Sequence, residues 1–249
     1  MKNAVLAPVL ALGMNFGCIG ALMASSMDDA KREYDQAMQQ TPDPVNGQRV
    51  YLTCAVCHRP EGWGTQDGTY PQIAGQLPTV TIKQLADIRA RNRENPIMYP
   101  FALPRMLGGA QEIADVAAYI AQLPMVPNNG IGPGRDLALG ERLYSDNCVD
   151  CHGKLGEGDG KEHIPAIWGQ HYHYLVRQFE MIKTGRRKNS DPEMQKQIKN
   201  FSGRDIRAVM DYVSRIRPSK DKLAESPNWQ NPDFPNYVRP PASAEPPSL

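Results

Sequence analysis

The pentapeptide Cys54-Ala55-Val56-Cys57-His58 returns 94 positions later as Cys148-Val149-Asp150-Cys151-His152. Few sequence features constrain a chain as strongly. Cys-x-x-Cys-His is the attachment pattern of a c-type haem, with two thiols to bond the vinyl groups and an adjacent imidazole to bind the iron. A single copy can be a stray thiol pair or half of a zinc site. A zinc site built from both pairs would bring them to one tetrahedral ion, whereas here each pair has its own histidine inside its own repeat. A redox Cys-x-x-Cys needs no histidine and accompanies alternating strands and helices, of which this sequence shows none. The expectation is two covalently attached haem c groups, bonded to Cys54, Cys57, Cys148 and Cys151, with His58 and His152 on the irons.

The repeat extends on both sides of the motifs. Gly47 to Tyr51 leads into Cys54, and Gly140 to Tyr144 into Cys148, at helical spacing; a glycine one turn before an aromatic lets another helix cross closely. Glycine-rich loops follow, and then Pro71 and Pro165, again 94 apart. A proline there can simply end a loop, or its carbonyl can accept the proton of the ligating histidine's other nitrogen and fix the ring. Apolar residues recur at helical intervals from Thr79 to Arg91 and from Tyr172 to Thr184, and again over Ala110 to Gln122 and Ser202 to Ile216. The last of these opens with Ser202-x-x-Asp205, which resembles a capping box. Tyr119 and Tyr212 are placed to pack on the Gly/Tyr faces. The basic clusters Arg89 to Arg93 and Lys183 to Lys188 read first as solvated helix ends that favour the dipole. Their second reading is as partners for haem propionates or for an acidic protein.

The fold class expected is all-α, as two tandem haem domains with an N-terminal hydrophobic helix and an extended Pro-rich tail. The divisions are 1–26 signal or anchor, 27–45 polar spacer, 46–123 domain 1, 124–134 linker, 135–217 domain 2 and 218–249 tail. Trp229, Phe234 and Tyr237 in the tail are expected to lie over a domain or a partner. A net charge of +1 argues against a nucleic-acid partner. Of five cysteines only Cys18 lies outside the haem motifs, so no structural disulfide is expected in the globular part. Residues 4–24 are almost all apolar after Lys2. Three readings compete: an uncleaved anchor with the N-terminus inside, which is preferred; a cleaved signal near Ala24-Ser25-Ser26; and a lipoprotein modified at Cys18.

The sixth iron ligand follows from elimination and repeat. Domain 1 has no histidine beyond His58 and no cysteine beyond its motif, so methionine is the donor left, with Met98 and Met106 as candidates. Asn95-Pro-Ile-Met98 and Asp191-Pro-Glu-Met194 both follow the basic cluster, whereas Met106 has no counterpart near Asn200. Met98 and Met194 are therefore the expected ligands. His163, His171 and His173 are rivals in domain 2, each expected at the surface or in a loop. Against every methionine stands its ordinary use as adaptable core filler.

At this point a family emerges. Gly75-Gln76, Lys83-Gln84-Leu85, Arg-x-Asn-x-x-x-Met, and in the second half Gly169-Gln170-His171, Arg177-Gln178-Phe179, Met194 and Phe201-Ser202 resemble the tandem class I cytochromes of the cytochrome c-four family. The resemblance covers roughly residues 46 to 217. It implies two all-α haem domains facing each other, each with His/Met iron, exchanging electrons in the periplasm. The expected role is a relay tethered on the periplasmic side of the bacterial inner membrane, between a quinol-oxidising complex and a terminal oxidase. The alternatives are a fixed haem subunit of a larger membrane oxidoreductase, and a dihaem enzyme of peroxidase or thiosulfate-oxidising type.

Overall fold

The computed structural model describes residues 17–239, with side chains from Ser26 onward. Among the described residues there are α-helices, one 3-10 turn at Lys220–Lys222 and no β-strand. In domain 1, Asp43 caps α2 (Pro44–His58) by accepting from Val45 N, and Pro44 at the first position supplies a preset φ. Short helices α4 (Tyr99–Ala102) and α5 (Pro104–Leu107) separate α3 (Pro78–Arg89) from α6 (Ala110–Gln122). Domain 2 repeats the order as α7 (Leu137–Asn147), α8 (Val149–His152), α9 (Tyr172–Lys183), α10 (Pro192–Ile198) and α11 (Gly203–Arg215). The Ser202/Asp205 capping box is present at the start of α11.

Each domain is built on one crossing. At Gly47, a Cβ would lie 2.2 Å from Asp115 O and 2.9 Å from the Tyr119 Cβ of α6. At Gly140 it would lie 2.2 Å from Ala208 O and 2.9 Å from the Tyr212 Cβ of α11. Glycine is therefore required for close approach at both places. The tyrosines one turn on pack there, Tyr51 with Tyr119 at 5.2 Å and Tyr144 with Tyr212 at 5.7 Å between ring centroids. Their hydroxyls donate to the carbonyl just after each motif histidine, Tyr51 to Arg59 O at 2.8 Å and Tyr144 to Gly153 O at 2.6 Å. The haem-motif turn is thus tied to the helix that leads into it.

Outside this shared plan, residues 27–45 are not a free spacer. Helix α1 (Gly17–Met38) runs continuously and packs on α3 and α6. Ala30, Tyr34 and Ala37 fall on one face, and their small or flat side chains let the helix lie close; Ala37 is fully buried in the domain 1 core. The tail aromatics lie over domain 1, one of the two places expected of them, and give the tail a fixed course up to Arg239. Phe234 is buried against Tyr51, Trp229 lies on Trp63, and Tyr237 donates to Ala55 O at 3.1 Å. Asn231 donates to Pro60 O at 2.7 Å and to the Tyr119 hydroxyl at 2.9 Å, and Arg239 pairs with buried Glu61 at 2.8 Å. No helix among the described residues is long and apolar enough to cross a membrane. Most of the expected anchor over 4–24, together with the side chain of Cys18, lies outside the described residues.

The two domains meet through a reciprocal clasp. The Gln76 amide donates to Ala166 O at 3.0 Å and accepts from Ala166 N at 3.1 Å. The Gln170 amide does the same to Gln72, donating to its O at 2.8 Å and accepting from its N at 3.1 Å. Residues 72 and 166 stand at the same 94-residue offset as 76 and 170, so the seam has an approximate two-fold axis. The linker is threaded into it: Val126 N donates to Gln72 Oε1 at 2.6 Å, and Asn129 Nδ2 to Ser214 O and Gln170 O at 2.9 Å each.

Candidate functional site

Between the domains lies a single cavity of about 600 Å³ reached by both histidine motifs. His58, Met98, His152 and Met194 all line it, among largely apolar neighbours such as Leu85, Ile88, Phe179 and Ile182. His58 Nδ1 is 2.9 Å from Pro71 O, and His152 Nδ1 is 3.1 Å from Pro165 O. With Nδ1–H committed to a carbonyl, Nε2 is the nitrogen left to bind a metal, and the ring cannot turn. Burial pushes both imidazole pKa values down, against the raising effect of the proline carbonyl, so the rings are neutral and ligand-competent.

The thiols are free, with no disulfide among Cys54, Cys57, Cys148 and Cys151. Burial raises the pKa of Cys54 and Cys148 to about 12. Cys54 and Cys57 line the cavity beside His58, where thioether bonds to a haem would form.

The methionines are held by a common device that the sequence repeat had not explained. Asn95 Oδ1 accepts from Met98 N at 3.2 Å, and Asp191 Oδ1 from Met194 N at 3.0 Å. The Asx-Pro-x-Met run is therefore a turn that sets the methionine at a helix start. Met106 is 47% exposed and does not line the cavity. Met181 and Met210 do line it, but Asp87 and Ala117 stand at the matching places in domain 1.

The rival histidines lie elsewhere. His171 ends the loop that leads into α9 and is not at the surface. It is 1% exposed at the domain seam, where Nδ1 accepts from Gly130 N at 3.0 Å and Nε2 donates to Trp63 O at 2.7 Å. His163 Nε2 is 2.6 Å from the Tyr34 hydroxyl of α1, and His173 packs on Tyr172.

The basic clusters are only partly solvated: Arg91, Arg186 and Lys188 are exposed, while the others are engaged. Arg89 is tied to Glu33, Ala102 O and Gly108 O inside domain 1. Arg93 and Arg187, again 94 apart, face each other across the seam and share two glutamines. Arg93 reaches Gln84 at 3.0 Å and Gln178 at 3.3 Å, while Arg187 reaches Gln178 at 2.9 Å and Gln84 at 3.1 Å. Burial, together with Arg93, lowers Arg187 to about 9, the mark of a cation short of a counter-ion. Arg93, Arg177 and Arg187 all line the cavity. Such a cavity has room for an apolar macrocycle with acidic substituents directed at the seam, so the donor set, the walls and the excess positive charge all fit a haem in each half. The 94-residue offset was the signal that would have found the Gln76/Gln170, Gln84/Gln178 and Arg93/Arg187 pairs.

Two helical domains sharing one apolar cavity, each offering two thiols and an imidazole steadied by a carbonyl, make this an electron-transfer protein of the dihaem c type. The chain belongs to the cytochrome c family, whose model, Cytochrome c, matches residues 44–124 and 137–217. It is 32% identical over 195 residues to cytochrome c4 of Thiocapsa roseopersicina, covering 74% of this chain and 97% of that one. It is 31% identical over 192 residues to the thiosulfate dehydrogenase electron acceptor of Stutzerimonas stutzeri, covering 69% of this chain and 87% of that one. The crystal structure of reduced recombinant cytochrome c4 from Pseudomonas stutzeri superimposes with a TM-score of 0.63 at 26% identity, covering 71% of this chain and all of that one. The chain is thus a tandem class I cytochrome of the c4 family, with two covalently bound haem c groups.

Proposed function

We propose that the chain relays single electrons between respiratory redox partners through two six-coordinate haems. Cys54 and Cys57 hold the first and Cys148 and Cys151 the second; His58 with Met98, and His152 with Met194, ligate the irons; Pro71 and Pro165 orient the imidazoles. The haem supplies the one-electron chemistry. The chain's own residues bury it, fill both axial positions and leave no vacancy for a substrate. Pairing methionine with imidazole favours the ferrous state over a bis-imidazole iron and raises the potential. The observation that carries this reading is that all four ligands line one cavity, with each Nδ1 engaged by a proline carbonyl.

In this reading the apolar run at 4–24 tethers the chain to the periplasmic face of the inner membrane. The partners are a quinol-oxidising complex, a terminal oxidase or other oxidoreductase subunits. A fixed-subunit role is favoured by the tail, which binds domain 1 through Phe234 and Asn231 instead of hanging free. Spectroelectrochemical titration of the purified protein tests the proposal. Two low-spin haems at similarly high potentials are expected, each losing its thioether signature in Met98→Ala or Met194→Ala respectively. A high-spin haem, or one titrating far below the other, would sink it and bring forward a dihaem enzyme.

A further inference from the structure

The chain that follows each haem motif is held in a different way in the two domains. The last turn of α2 leaves carbonyls without a helical partner. One of them, Ala55 O, lies between the two motif cysteines and accepts from the Tyr237 hydroxyl at 3.1 Å. Just past the motif, Pro60 O accepts from Asn231 Nδ2 at 2.7 Å. Both donors come from the tail. Next to Pro60, and three residues beyond His58, stands Glu61, only 5% exposed. A carboxylate at that depth needs a counter-charge. Arg239, again from the tail, supplies it: Nε and Nη2 donate to one carboxylate oxygen at 2.9 and 2.8 Å, and Asn231 N donates to the same oxygen at 3.3 Å.

The other titratable groups at this place add no positive charge. Burial raises the pKa of Tyr51 and Tyr119, so both hydroxyls keep their protons. Asp233 accepts from the Tyr119 hydroxyl at 2.8 Å and is a second carboxylate. Domain 2 is built otherwise. Leu155 stands where Glu61 does, 94 residues on, and is 52% exposed. Its loop is closed from within by Glu157, which accepts from Leu155 N at 2.8 Å. Ferric iron carries one more positive charge than ferrous, so an uncompensated carboxylate nearby favours the oxidised haem and a neutralised one does not. Resting on the relay reading, we propose that the tail tunes the domain 1 haem: by holding Arg239 on Glu61 it raises the potential of that haem and sets the order in which the two haems fill. Arg239 is a positioning residue that acts through Glu61. A pair serving stability alone would leave the potential where it is.

The test is a charge cycle on the full holoprotein, read by spectroelectrochemical titration. In Arg239→Gln the ferrous-to-ferric ratio of the domain 1 haem, at a fixed applied potential, is expected to fall by about threefold. In Glu61→Gln it should rise by about as much, and in the double variant it should return to the wild-type value. The domain 2 haem should stay in place throughout. Single variants that leave the potential unmoved or shift it in the same direction overturn the proposal, as does an equal shift of both haems. Arg239→Lys guards against mere loss of structure. It keeps the charge, so it should hold the wild-type potential even where guanidinium unfolding shows a weakened tail, and a fall equal to that of Arg239→Gln overturns the proposal. Met98→His separates the two layers. It should lower the domain 1 wave and so assign it, since a bis-imidazole iron has the lower potential. If neither wave moves, the ligand reading fails and takes the proposal with it. A lowered wave with a flat charge cycle overturns the tail's role alone.

Discussion

Domain 1 and domain 2 are near-copies on the inside and unlike on the outside. The Gly/Tyr crossing, the proline-braced histidine, the Asx-capped methionine and the exchanged glutamines recur with little change. Domain 1 then acquires α1, a threaded linker and a bound tail, and keeps an apolar outer face. Domain 2 shares the linker, which also binds Gln170, His171 and Ser214, and meets α1 where His163 bonds Tyr34. The interior repeats because two identical cofactors impose the same requirements, while the exterior carries no such constraint.

The largest expected effect breaks that contrast directly. Ending the chain at Arg217 removes Phe234, Trp229 and Tyr237 from domain 1 and should destabilise it by about 4 kcal/mol. Domain 2 should be unaffected, so denaturant unfolding becomes two-stepped. A single unshifted transition would show that the tail binds too weakly to matter. Next come Gly47→Ala and Gly140→Ala, each forcing a Cβ onto a carbonyl oxygen. Each should cost about 3 kcal/mol in guanidinium unfolding, and a large inequality between them would break the internal equivalence. Gln76→Ala and Gln170→Ala should each cost about 1–2 kcal/mol. Hydrogen exchange sharpens the comparison, since the first should deprotect the Ala166 amide and the second those of Gln72 and His171.

The smallest effect concerns pH. Burial lowers the His171 pKa below the unfolded value, against the raising effect of its hydrogen bond to Trp63 O. The unfolded chain therefore takes up the proton first. The stability that neutral His171 contributes is complete above about pH 6.5 and declines as pH falls below it, by up to about 1.4 kcal/mol per unit. His171→Asn should flatten that part of the profile, and an equally steep fall in the variant would place the acid sensitivity elsewhere.

Much of this was readable from residues. The motif pair named the cofactor, and the offset placed the four long helices that the two domains share. What escaped the reading did so for two physical reasons. Helix α1 was taken for a spacer because its buried face is made of alanines, whose burial depends on close packing more than on hydropathy. Arg93 and Arg187 were read first as solvent-facing, and His171 as a surface or loop residue, because charge and polarity usually lie there. A seam that must receive acidic groups, and a histidine with both nitrogens engaged, reverse that rule only once the second domain is in place.

The exchanged glutamines have a consequence for how such a chain can change. An interface in which residue 76 treats 166 as 170 treats 72 is isologous, the arrangement of a two-fold homodimer. Here both protomers are written on one strand. In a true homodimer every substitution appears on both sides of the axis, so neither face can specialise without the other. Once fused, each side is edited alone, and a symmetric pair can acquire an entrance and an exit.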